Sequence, residues 1–141
     1  MRFILLLSVF FLSAVPACRA QNPLEQTNQV MDPKQLSDLN KTAADLQEEI
    51  KQHPEKAELH IRLGFTWAKL GKVGEARRSF ENAVKLDPKK AIAHYMLGLI
   101  YEKQGLKAEA VAAWKACLES ADGPRLRETA LKHLHHLETT R

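Results

Sequence analysis

The chain repeats itself. Displaced against its own sequence by 34 residues, Ala57 falls on Ala91, His60 on His94, Leu63 on Leu97 and Gly64 on Gly98. Lys69 then meets Lys103, Gly71 meets Gly105, Glu75 meets Glu109 and Ala76 meets Ala110. Eight identities between residues 57–88 and 91–122 are well beyond the roughly one match per sixteen positions that composition alone supplies. Trp67 with Tyr101, Phe80 with Trp114 and Val84 with Leu118 are matched in kind. Repeats of this length are supersecondary units that bury their apolar faces only by stacking on one another.

Within each unit the apolar residues keep helical time. Leu59, Leu63, Trp67 and Leu70 recur three and four apart, the spacing of one helical face. Gly71 stops that helix, and Ala76, Phe80, Ala83 and Val84 mark the buried stripe of a second one, which ends before Asp87-Pro88. The second unit repeats the scheme with Leu97, Tyr101 and Gly105, then Ala110, Trp114, Cys117 and Leu118. A glycine inside a helix costs about 1 kcal/mol against alanine. Its return at one phase, as Gly64 and Gly98, implies two helices in close approach.

This pattern resembles the tetratricopeptide repeat family. His60, Leu63-Gly64, Trp67, Ala76, Phe80, Ala83 and Pro88 meet the family's large residue, Leu-Gly, aromatic, Ala, aromatic, Ala and Pro. His94, Leu97-Gly98, Tyr101, Ala110 and Trp114 do so again, after which Cys117 replaces the second Ala and Asp122-Gly123-Pro124 the closing Asp-Pro. The resemblance implies an all-α fold, a short right-handed solenoid of antiparallel helix pairs with repeats at 57–90 and 91–124. Two repeats are marginal alone, because such stacks generally need three or more. The flanks supply the rest. Leu36, Leu39, Ala43, Leu46 and Ile50 predict an amphipathic helix over about 33–52, with Asp32-Pro33 as its cap and first position. It looks like the second half of a decayed leading repeat. Leu126, Ala130, Leu134 and Leu137 predict a closing helix over about 125–138, its outer face polar. The repeat domain is thus expected over 32–138.

Residues 1–17 are set apart as a secretory signal. Arg2 precedes an apolar run over 3–15 that is too short to span a bilayer, which needs about 20 residues, and small residues close it. Val15-Pro16-Ala17-Cys18 resembles a bacterial lipobox. That resemblance implies acylation of Cys18 and attachment to a membrane. Arg19 does not match the aspartate that retains such lipoproteins in the inner membrane, which points to the outer one. Cleavage after Ala17 or Ala20, leaving a soluble periplasmic or secreted chain, is the other outcome. Residues 18–31, polar and Pro-containing, read as a flexible tether.

In the resembled family the first helices of successive repeats line a concave groove. Here the groove-facing phases include Ile61, Phe65 and Lys69, then Ile92, Tyr95, Leu99 and Lys103. They predict an apolar strip that a helix or an extended peptide can cover. The leading helix or a second copy of the chain are the competing occupants, so a homo-oligomer is also expected as an alternative. The family's clamp for a peptide's C-terminal carboxylate requires Lys or Asn where Ile61 and Phe65 stand, which argues against chaperone-tail recognition.

No catalytic constellation appears: there is no nucleophile elbow, phosphate loop or zinc-protease motif. A net charge of +4 from 21 basic and 17 acidic residues is too small and dispersed for nucleic acid. Cys117 stands at a packing position, and two cysteines make no disulfide framework. His133, His135 and His136 are expected on a solvated helix, with no third ligand that would make a metal site. No cofactor or metal is expected. The function expected is a cell-envelope protein-interaction module, or a structural subunit that uses the same groove to bind its own kind.

Overall fold

A computed structural model describes residues 31–139 as six α-helices: α1 (Pro33–Gln52), α2 (Ala57–Lys69), α3 (Val73–Leu86), α4 (Ala91–Lys103), α5 (Lys107–Ser120) and α6 (Pro124–Thr139). The substantial packing runs between consecutive helices, so the body is an all-α solenoid in which each helix touches its chain neighbours. The signal segment, the tether and Cys18 lie outside the described residues, apart from Met31.

Local sequence explains the punctuation. Asp32 accepts a hydrogen bond from Lys34 N at 3.1 Å while Pro33 occupies the first turn, which starts α1. The turns inside both units are the same. Gly71 and Gly105 take φ of 71° and 70°. Around them Lys72 N donates to Trp67 O and Leu106 N to Tyr101 O, each at 2.9 Å. This left-handed glycine ending satisfies carbonyls that a helix terminus otherwise leaves open. Between the units, Asp87 accepts from Lys89 N at 3.0 Å and so shapes the turn into α4.

Packing is organised by two aromatic rings. Phe80 and Trp114 have no accessible surface, and each lies on a glycine of the preceding helix. A Cβ added to Gly64 would stand 2.8 Å from the Phe80 ring; one added to Gly98 would stand 2.5 Å from Trp114. Ala76, Ala83, Ala110 and Cys117 are fully buried beside these rings, where larger side chains do not fit. One core joins α2 through α6, and a smaller one joins Ala43 and Leu46 of α1 to Leu59 and Leu63 of α2. Trp67 packs against both.

The array closes at each end by losing these features. Thr42 and Glu49 of α1 stand one period before Ala76 and Ala83, and neither is buried. Lys132 of α6 stands one period after Gly98 and is exposed. Neither end helix therefore repeats the alanine seat or the glycine of the complete units, and Leu36 on α1 and Leu131 on α6 stand exposed. The apolar stripe of α1 is only half used: Ala43 and Leu46 are buried, while Leu36, nearer the start of the helix, is 43% exposed.

Substituting the glycine contacts tests this account. Gly98→Ala is expected to lower stability by about 1–3 kcal/mol, since the indole has no free side to retreat to. Gly74→Ala, in α3 where an added Cβ meets nothing, is expected to raise it by a few tenths to about 1 kcal/mol. Urea titrations of both variants check the opposite signs. Burial also pushes the Cys117 thiol up from its ordinary 9.0 to about 11. The folded state thus favours the neutral thiol, and that contribution is complete below pH 9 and lost as pH rises toward 11. The melting temperature of the native chain is expected to fall across that interval, and that of Cys117→Ala to fall less.

Candidate functional site

The first helices of the two repeats, α2 and α4, carry the residues expected to face the groove, and α6 joins α4 around one cleft. The 34-residue offset continues from Ile92 to Leu126 and from Tyr95 to Thr129, and all four line one cleft between α4 and α6. The register continues into α6 even though that helix carries none of the family's landmark residues.

The expected apolar strip is narrower than its spacing suggested. Ile61 is 3% exposed and Leu99 5%, so both belong to the core and not to an open surface. Both sit in the main core, Ile61 on α2 and Leu99 on α4, where Ala93, Met96, Leu97 and Ile100 are buried with it. Phe65 and Tyr95 are half-buried. Each presents its ring at right angles to the aromatic beneath it, Phe65 to Phe80 at 5.3 Å and Tyr95 to Trp114 at 5.5 Å between centroids. Burial raises the Tyr95 hydroxyl above its ordinary value. Ile92 is open, at 39% exposure. Lys69 and Lys103 are exposed at the outer ends of α2 and α4.

Two clefts result. The larger, of about 860 Å³, opens between the start of α4 and the start of α6; Ile92, Tyr95 and Leu126 supply its apolar surface, and Lys89, Lys90 and Arg125 its cations. The smaller, of about 370 Å³, lies between α1 and α2, where Thr42 and Leu46 face Phe65 and Lys69. α1 seats Ala43 and Leu46 against Leu59 and Leu63. It borders the groove beside Phe65 and leaves the cleft there open.

Farther along α4 and α6 lies a polar cluster that local periodicity could not reveal. Trp114 Nε1 donates to Glu102 Oε1 at 2.7 Å. His133 Nδ1 lies 2.9 and 3.0 Å from the two carboxylate oxygens of Glu102, and its ring stacks on Trp114 at 4.2 Å. His133 therefore does not sit on a freely solvated face, as was expected; it ties α6 to α4 and α5. Nor are all carboxylates at solvent phases. Glu81 accepts from the Tyr101 hydroxyl at 3.0 Å and lies 3.5 Å from Arg77 Nε. Desolvation, reinforced by that carboxylate, pushes Tyr101 up to about 12. Arg77 also donates to Gln104 at 3.0 Å, so this second cluster joins α3 to the end of α4. Among the described residues no group of three or more His, Cys, Asp or Glu is arranged to hold a metal ion.

Comparison with known proteins agrees with the architecture. Residues 68–123 match the profile described as Tetratricopeptide repeat. A search of curated proteins returns no match. Among solved structures, the chain is similar to the type III secretion translocator chaperone SycD of Yersinia enterocolitica, with TM-score 0.61 and 18% identity over 74% of this chain and 73% of that one. It is also similar to a chain in a T3SS complex from Aeromonas hydrophila, with TM-score 0.53 and 16% identity over 77% and 83% of the two chains. At such identities the likeness is one of fold. Paired helices on a fixed period and aromatic rings seated on glycines agree with the tetratricopeptide repeat profile matched over residues 68–123.

Proposed function

We propose that the chain is a protein–protein interaction module of the bacterial cell envelope that docks a segment of a partner protein in the groove formed by α2, α4 and α6. The repeat fold supports a scaffold for protein partners. The observation that carries the site is the open cleft of about 860 Å³ with Ile92 at 39% exposure on its wall. A cleft of this size falls in the usual range for ligand pockets, about 300–1,000 Å³. Covering a side chain such as Ile92 contributes about 1.5–3 kcal/mol, enough to make one residue decisive. The similar solved structures, a secretion chaperone and a T3SS complex, fit a role with protein partners.

The envelope address rests on the sequence that precedes the helical body. The apolar run over 3–15 and Val15-Pro16-Ala17-Cys18 support export and acylation of Cys18. No helix among the described residues is long and apolar enough to cross a membrane. On this reading the attachment is a lipid on Cys18, and the polar stretch behind it lets the groove face its partner at a distance from the membrane surface.

Phe65 and Tyr95 rest on core rings, so charging either one would disturb folding together with binding. Ile92 is the cleaner probe. Ile92→Glu is expected to weaken partner capture at least about tenfold with an unchanged far-ultraviolet circular dichroism spectrum. Leu131→Glu serves as the control, because Leu131 is 53% exposed but does not line the cleft. Capture by Ile92→Glu equal to that of the native chain shows that the cleft is not the docking site. For the address, Cys18→Ser is expected to move the protein from the membrane fraction to the soluble fraction. A variant that stays with the membrane refutes acylation as the anchor.

A further inference from the structure

We infer that the segment taken by the α4–α6 cleft is an acidic one, carrying carboxylates on either side of a large apolar side chain; this rests on the docking role proposed above. The apolar floor of Ile92, Tyr95 and Leu126 asks for the apolar side chain. The rim asks for the charge. Lys89, Lys90 and Arg125 stand around the opening against Asp87 and Asp122. Asp87 is already engaged: one oxygen accepts from Lys89 N at 3.0 Å and the other lies 3.8 Å from Lys90 Nζ. Asp122 is then the one rim carboxylate not drawn into the α3–α4 turn, in a lining shared with Lys89 and Arg125.

The backbone adds to this bias. α4 and α6 both begin at the cleft, so the positive ends of two helix dipoles meet there. Lys90, at the start of α4, makes no side-chain cap, and Gly123, whose carbonyl accepts from Arg127 N at 3.3 Å, has no side chain with which to cap α6. Neither Lys90 nor Gly123 thus offers an acidic or hydroxyl side chain at the cap position itself, and Asp87 and Asp122 are the carboxylates beside these starts. Farther along the groove Lys69 and Lys103 extend the same sign, while Glu102, the carboxylate nearest them on α4, is taken up by Trp114 and His133. On the rim of this cleft three cations stand against two carboxylates, so an acidic segment is favoured there and a basic one meets like charge.

Selection from a random peptide library displayed on phage, with the full chain as bait, tests this without assuming the partner. Enriched peptides are expected to carry a large apolar residue flanked by Asp or Glu. As synthetic fluorescent peptides they are expected to lose at least about tenfold in affinity against Lys89→Glu/Arg125→Glu and to weaken as salt is raised. Replacing their carboxylates by amides is expected to have the same effect. Enriched peptides that bind the cleft, as shown by loss against Ile92→Glu, but carry no acidic excess and ignore the charge reversal overturn this inference and leave the docking site standing. Peptides indifferent to every cleft substitution, or a selection that enriches nothing, overturn both.

Discussion

An aromatic ring resting on a glycine is the contact from which the rest of this molecule follows. Phe80 on Gly64 and Trp114 on Gly98 leave no room for even a methyl group, so each pair of helices is held at the separation set by a ring thickness. That separation admits only small residues around the ring, which is why Ala76, Ala83, Ala110 and Cys117 share complete burial. It also determines what reaches the groove. Phe65 and Tyr95 are propped edge-on against the same two rings, a geometry favoured by the ring quadrupole. Core and surface are thus one stack, in which the ring that joins two helices also orients the side chain that faces a partner.

Two full units suffice because the ends are finished by different means. α1 brings an apolar stripe to α2 but carries Thr42 and Glu49 where a complete unit has alanines. α6 carries Lys132 where a complete unit has glycine. A charged side chain at that position covers the surface on which another aromatic ring would have to sit, and water is the only neighbour it accepts cheaply. The same substitutions that stop the stack free α6 from serving as a seat for a seventh helix. Its other side is then available as a groove wall.

How much of this was legible in the sequence divides along the distance between the residues concerned. Gly71 and Gly105, the Asp32-Pro33 start and the alanine positions were readable because each acts on its own helix or on the next one, and the period displays them twice. Ile61 and Leu99 were expected at the surface because an apolar residue at an off-stripe phase is ambiguous; both α2 and α4 bury that phase in the main core. Periodicity reports which residues share a face and does not report how many faces are covered. The Glu102–His133 contact spans 31 residues and the whole of α5, and no spacing rule connects the two residues.

That contact also decides how rigid the groove can be. α6 is held by Ala130 and Leu134 in the core and by the His133 ring stacked on Trp114. Glu102 binds both of those rings at once, through the indole N–H and the imidazole nitrogen. A carboxylate that accepts from two partly buried donors is worth more than either bond alone, since losing it leaves a buried N–H without a partner, at about 1–3 kcal/mol. The clasp therefore ties α6 to α4 and α5 through the ring that packs the second repeat. Ile92 and Leu126 line a cleft between the same two helices. A groove held in this way presents a preformed surface, so that less of the energy of docking is spent on ordering the receptor and more remains to distinguish one segment from another.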